Sequence, residues 1–287
     1  MTTSGYNIAM TTLRVTVIMP TYNRRKLLER AIGSVLAQSF TDLELIVVND
    51  ASTDDTKDFL DGVAKKDARV RPVYHEKNYY PDISRTLNEA MGMARGIYIA
   101  RLDDDDYWCD TEKLAKQVAF LNAHLDCVVA GGGTIVIDEN DKERFRYLKL
   151  ETDTEIRSKA LFANPFTHST VMFRRDVALS AGGYGDFKNA EDWDLWLRMG
   201  LRGTFYNFQD YFVRYLLTDQ SKTFLFKRSQ ANEILHIVSR YKKDYPNFLP
   251  AYALNFAQYC YSQLPGWLRR ILYNSLSRAK RSLFSNQ

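Results

Sequence analysis

Apolar positions switch between two periods along the first hundred residues. Val15 to Met19 is a short β-branched run, and Arg24 to Ala37 carries Leu27, Leu28, Ala31 and Val35 at helical spacing. Leu43 to Val48 is a continuous apolar strand, followed by Ser52 as N-cap of a helix carrying Phe59, Leu60 and Val63. Val70 to Tyr74 predicts a strand, Asp82 to Met93 a helix, and Ile97 to Leu102 a fourth strand. Near-continuous apolar strands between helices imply an α/β fold, a doubly wound, mainly parallel sheet buried on both faces. Beyond this the pattern loosens. A helix from Leu114 to His124 leads to Val128–Ala130, three glycines at 131–133 and a strand-like Thr134–Ile137. Ser169 to Phe173 predicts another strand and Glu191 to Met199 a helix, and past residue 222 the chain turns helical and aromatic.

Composition narrows the class. A length of 287 residues with 45% hydrophobic and 26% charged content fits a globular chain of one large domain plus an appendage. No stretch reaches the length of a transmembrane helix, and residues 1–12, expected to be flexible, lack the features of a secretory signal. Three scattered cysteines (Cys109, Cys127, Cys260) without a CxxC pair argue for a reducing, cytoplasmic setting and against a zinc site. The net charge of +4 resides in the tail: no acid follows Asp244, while Arg269, Arg270, Arg278, Lys280 and Arg281 are all basic. Without those five, the body has 34 basic and 35 acidic residues, a poor match to a nucleic-acid-binding fold.

Each predicted strand ends in polar residues where open α/β sheets place ligands. The first ends in Pro20-Thr21-Tyr22-Asn23, the second in Asn49-Asp50-Ala51-Ser52, and the fourth in Asp103-Asp104-Asp105-Asp106. Four adjacent carboxylates repel one another, which a cation relieves, and oxygen-only ligands suit Mg²⁺ or Mn²⁺ completed by substrate phosphates. A solvated acidic turn is the plain alternative. EF-hand, dinucleotide and P-loop patterns are absent.

Val-Ile-Met-Pro-Thr-Tyr-Asn-Arg (17–24), Ile-Val-Val-Asn-Asp-Ala-Ser-Thr-Asp (46–54), Ile-Ala-Arg-Leu-Asp-Asp-Asp-Asp (99–106) and Glu-Asp-Trp-Asp-Leu-Trp-Leu-Arg (191–198) occur in order. Together they resemble the family 2 inverting glycosyltransferases of the GT-A fold. The resemblance implies a GT-A domain over 13–221, with a nucleotide-binding half (13–106) and an acceptor-binding half (107–221), then a helical region over 222–287. It implies inverting, metal-dependent transfer from a UDP-sugar to a hydroxyl of a glycan or lipid-linked saccharide, in surface-polysaccharide assembly. In that comparison Thr21 and Tyr22 contact the base, and Asp50 accepts the uracil N3–H. Asp103 and Asp105 match the D-x-D pair: the first meets ribose or a metal-bound water, and the second binds Mn²⁺ or Mg²⁺ bridging the pyrophosphate. Asp104 assists, Asp106 orients its neighbours, and Asp192 matches the catalytic base. The chemistry agrees, since inversion needs a carboxylate to take the acceptor's proton opposite the departing diphosphate. Glu191 and Asp192 open a helix, whose dipole is expected to lower a carboxylate's pKa.

Other residues carry two readings each. His168 falls where the family often has a histidine near the acceptor, or serves structurally. Arg101 balances the carboxylates from its strand. Arg214, Gln220 and Ser221 resemble a loop closing over the diphosphate, and a surface salt bridge explains Arg214 equally well. Asn49 stands where many relatives have Asp and Ala51 where they have Gly, and the Asn78–Ser84 segment is two residues longer. In the tail, residues 266–284 place Trp267, Leu268, Ile271, Leu272, Leu276, Ala279 and Leu283 at helical spacing among the basic residues. That pattern predicts an amphipathic helix on an anionic membrane at the cytoplasmic face, with docking on the chain's own surface as the alternative. The competing functions are a non-catalytic sugar-nucleotide or metal-binding module, and a sugar-1-phosphate nucleotidyltransferase, which lacks its glycine-rich loop here. The sequence fixes no oligomeric state.

Overall fold

The computed structural model describes residues 14–218 and 228–265. Strands and helices alternate through β1 (Val15–Thr21), α1 (Arg25–Leu36), β2 (Leu43–Asn49), α2 (Thr56–Lys66), β3 (Val70–Tyr74), α3 (Ile83–Met93) and β4 (Tyr98–Arg101). The second half adds β5 (Tyr107–Trp108), α4 (Lys113–Ala123), β6 (Cys127–Ile137), β7 (Glu143–Tyr147), α5 (Asp153–Lys159), β8 (Met172–Arg174), α6 (Arg175–Ser180), α7 (Glu191–Gly200) and β9 (Thr204–Leu216). Two helices, α8 (Arg228–Arg240) and α9 (Phe248–Gln263), follow.

The sheet order is β3-β2-β1-β4-β8-β6-β9-β5, with β7 beside β6. β3, β2, β1 and β4 run parallel, as their apolar runs require, and β8 joins antiparallel to β4. Register sets Thr21 beside Asn49 and Ile18 beside Arg101, so three strand ends open on one edge. Alternation sorts the core onto two faces. Val15, Val17 and Met19 pack with Leu28, Ile32 and Val35 of α1. Ile18 packs on the other side with Leu87 and Met91 of α3 and with Trp193 and Trp196 of α7. Ile237 and Val238 of α8, with Tyr241 just beyond its end, extend this second face. Asp194 of α7 anchors α8, accepting from Arg240 at 3.0 Å and from the Tyr241 hydroxyl at 2.8 Å.

Three local expectations are corrected. Ser52 does not cap α2, because its hydroxyl accepts from the Asn23 amide at 2.9 Å, while Asp54 accepts from the Thr56 amide at 3.1 Å where α2 begins. The strand expected from Ser169 starts at Met172, since His168–Thr170 form a tight 3-10 turn. The apolar runs on either side of the three glycines are one strand, β6, whose register against β9 shifts at the glycines. A Cβ at Gly132 would overlap the Phe212 ring of β9, so glycine there permits close strand packing. Among the described residues no helix is long and apolar enough to cross a membrane. Residues 1–12, Gln220, Ser221 and the helix expected at 266–284 lie outside the described residues.

Candidate active site

The loops after β1 and β2 are built as one unit. The Asp50 amide donates to the Thr21 carbonyl at 2.9 Å, and Asn23, at φ 52°, receives the Thr53 amide on its side chain at 2.8 Å. Asn49 accepts from the Ser52 amide at 2.9 Å, a role its amide oxygen fills as well as a carboxylate would. Ala51 takes φ 60°, a left-handed conformation that glycine adopts with less strain. The result places a buried Thr21, a Tyr22 ring 44% exposed, and Asp50 at one rim. Asp50 is held from behind: Oδ1 accepts from His75 Nδ1 at 2.6 Å and Oδ2 from the Tyr79 amide at 3.1 Å.

The carboxylate run follows β4 and divides by environment. Asp103 accepts from Arg101 at 2.5 Å and from the Ser169 hydroxyl at 3.3 Å. Burial opposes its ionisation, but Arg101 and Arg24 hold it below the ordinary aspartate range. Arg24 bridges the next two, reaching Asp104 at 3.0 Å and Asp105 at 2.6 Å. Burial raises Asp104 despite that pair, and the Asp103 charge adds to the rise. Burial and then the Asp104 charge push Asp105 up to about 7, against the pull of Arg24. The Thr21 hydroxyl lies beside Asp104, yet Oγ1 has no partner with full hydrogen-bond geometry. Asp106 is enclosed, and burial with the Asp105 and Asp103 charges raises it well above the usual range. The Ser169 hydroxyl lies 2.5 Å from Asp106 Oδ2 and 3.3 Å from Asp103 Oδ2, bridging the two carboxyl groups. The Leu216 amide donates to Asp106 at 3.0 Å, which ties β9 to the site.

Opposite stands α7. Asp192 accepts from Asn164 Nδ2 and from the Trp193 amide, both at 2.7 Å. Burial raises its pKa, and the charge of Asp103 raises it further. The expected lowering by the helix dipole is therefore overturned, because desolvation outweighs it. His168 bonds the Tyr184 hydroxyl at 2.9 Å, and burial with Arg101 takes it down to about 3, a neutral ring. Asn88 of α3 clamps the Tyr184 backbone through both its amide groups, at 2.7 and 2.8 Å. A cleft lined by Lys149, Leu150, Lys159 and Asn164 adjoins Asp192 through that shared asparagine.

The fold thus gathers Thr21, Tyr22, Asp50 and the aspartates 103–105 along one edge and brings Asp192 over from α7. Arg214 sits apart in a surface pair with Asp141 at 3.8 Å. Arg24, His75, Ser169 and Asn164 were not foreseen as partners. Only the arginine left a trace in sequence, as the sole cation in the first strand-end motif.

A mixed sheet with this strand-end site is the architecture of GT-A glycosyltransferases. TarS of S. aureus superposes with a TM-score of 0.64 at 20% identity, over 87% of this chain and 43% of that one. The mannosyltransferase PcManGT of Pyrobaculum calidifontis, solved with GDP-Man and Mn²⁺, gives 0.62 at 20% identity over 93% and 75%. Residues 16–180 match the family described as Glycosyl transferase family 2, and the chain belongs to it. EpsE of Bacillus subtilis, a glycosyltransferase by its name, is 36% identical over 208 residues, 69% of this chain and 70% of EpsE. The amylovoran biosynthesis glycosyltransferase AmsE of Erwinia amylovora is 33% identical over 188 residues, 64% of this chain and 68% of AmsE.

Proposed function

We propose that this chain transfers a hexosyl or N-acetylhexosaminyl group, with inversion, from a UDP-sugar to a hydroxyl of a glycan or lipid-linked acceptor in surface-polysaccharide assembly. The observation that supports the reading is the 168–170 turn, where Ser169 holds Asp103 at 3.3 Å and the His168 ring lies 5.9 Å from Trp196 of α7, the helix that carries Asp192. Support for the donor comes from TarS, whose 1–349 segment has been solved with UDP-GlcNAc. Support for the setting comes from the amylovoran role in the name of AmsE.

The residues divide the work. Thr21, Tyr22 and Asp50 hold the uridine, the Tyr22 ring lying against the base. Asp192 takes the proton of the acceptor hydroxyl as that oxygen bonds the anomeric carbon. The bond to the diphosphate oxygen breaks on the opposite face, and its electron pair leaves with UDP. Asn164 and the Trp193 amide aim the carboxylate, and burial makes it a stronger base than an exposed aspartate. Asp103 and Asp105 offer oxygen-only ligands that fit Mg²⁺ or Mn²⁺, with Asp104 beside them. Among the described residues no group of three His, Cys, Asp or Glu side chains could hold a metal ion, and the phosphates of a bound donor would supply further oxygen ligands to Asp103 and Asp105. When bound, the cation offsets charge growing on the leaving diphosphate.

A panel of UDP-sugars, scored by UDP release with Mn²⁺ present, tests the reading; hydrolysis serves where no acceptor is supplied. One donor is expected to turn over well above the rest, and release with none of them removes the proposal. The basic residues of the 266–284 sequence support contact with an anionic membrane near a lipid-linked acceptor, a reading that favours the cytoplasmic face.

A further inference from the structure

The carboxylate read as the nucleobase acceptor does not stand freely. His75 follows β3, and its amide donates to the Asn49 carbonyl at 3.0 Å, locking the histidine backbone to the end of β2. Its side chain is 5% exposed. Nδ1 lies 2.6 Å from Asp50 Oδ1, and Nε2 lies 3.1 Å from Glu89 Oε2 on α3. Both ring nitrogens face carboxylate oxygens, and a ring N–H donates to the oxygen opposite it. The Tyr79 ring meets the imidazole edge-on at 4.9 Å, and the Tyr79 amide adds a second donor to Asp50. Asn78 Nδ2 donates to the Asp50 carbonyl at 3.1 Å, so the segment after β3 grips both the backbone and the side chain of one residue.

We propose that His75, backed by Glu89, is the positioning residue of nucleobase recognition. The proposal rests on the reading of Asp50 as the acceptor of uracil N3–H. Asp50 Oδ1 carries the imidazole at 2.6 Å and the Tyr79 amide is shared between Oδ1 at 3.2 Å and Oδ2 at 3.1 Å, which leaves Oδ2 as the oxygen with the larger remaining acceptor capacity. A carboxylate pinned in that way accepts the N3–H of uracil and opposes the bare N3 of cytosine. Released from the imidazole, the same carboxylate rotates away from an unfavourable base, and the discrimination fades. His75 thus acts on the choice of nucleotide through Asp50, without touching the nucleotide itself.

The test compares UDP and CDP binding to the full chain by calorimetry, with Mn²⁺ present. His75→Ala is expected to lower the UDP-over-CDP preference by about tenfold, the scale of a lost charged hydrogen bond, mainly by weakening UDP. His75→Asn places an amide donor where Nδ1 stood and restores most of the preference, whereas His75→Gln reaches toward Glu89 and does not. A mere packing role would not separate Asn from Gln in this ratio. An unchanged ratio in a folded His75→Ala protein overturns the proposal, and so do equal ratios for Asn and Gln if the alanine variant fails to fold. Asp50→Ala distinguishes the two levels of the argument. If it abolishes the preference while His75→Ala does not, the positioning role alone fails. If it too leaves the ratio unchanged, or the wild type shows no preference for UDP, the base reading fails and the proposal falls with it.

Discussion

Replacing Asp192 with asparagine removes a proton acceptor while keeping the shape of the side chain. Oδ1 can still accept from the Trp193 amide, but an NH₂ now faces Asn164 Nδ2, where 2.7 Å separated donor from acceptor. Either Asn164 turns or one bond is lost, at a cost of about 1–3 kcal/mol. Against that stands relief of a buried charge. Because the folded pKa of Asp192 is raised, its contribution to stability is fullest below the ordinary value of 3.8 and is lost as pH rises through the raised one. At neutral pH the variant escapes that loss, so the opposing effects leave its melting temperature close to wild type. Catalysis has no such offset. Loss of a general base lowers kcat by about 10²- to 10⁴-fold, roughly 3–5.5 kcal/mol of barrier. The acid limb of wild-type kcat/KM should carry a component from Asp192 above 3.8 that disappears in the variant, since transfer requires ionised Asp192, while the component from Asp105 remains. UDP release gives kcat, and calorimetry gives the UDP Kd, which should not move. An unchanged kcat, or a Kd that weakens in step with kcat, refutes the assignment.

Arg24→Gln removes the guanidinium that competes for Asp104 and Asp105, and Mn²⁺ binding without nucleotide should tighten about three- to fivefold, the scale of a half-exposed ion pair. Titration followed by Mn²⁺ electron paramagnetic resonance checks this, and an equal or weaker affinity refutes the competition. Ala51→Gly relieves the φ 60° backbone and should stabilise by about 1 kcal/mol in urea denaturation; a loss of stability would show that the alanine methyl packs usefully. Deleting residues 265–287 should leave UDP binding intact and release the protein from anionic vesicles in a sedimentation assay. Intact protein that stays in the supernatant at low salt contradicts the membrane role.

The donor edge was legible because buried parallel strands are written as apolar runs, and each run stops abruptly at Thr21, Asn49 or Asp103. The helix caps were less so, since Ser52 and Asp54 are equivalent candidates until the fold brings Asn23 alongside. β9 was not foreseen: its inward and outward residues mix Phe, Tyr, Asn, Gln and Asp, and its pairing with β6 joins partners 76 to 79 residues apart in sequence. The ionisation of Asp192 was misjudged because a helix start is visible in sequence, whereas the burial that raises its pKa is not. Arg101 was correctly placed against the carboxylates, but the compensation by Arg24 and the hydrogen bonds of Ser169 arise only when β1, β4 and the 168–170 turn meet.

The central claim is that the β4 carboxylates and the β1 and β2 strand ends form one metal-assisted uridine diphosphate site. Calorimetry of UDP with wild type and Asp105→Ala, each with Mn²⁺ and with EDTA, tests it directly. The account predicts strong binding by wild type with Mn²⁺, and loss of that binding in EDTA or in the variant. Equal UDP affinity across all four conditions would contradict it.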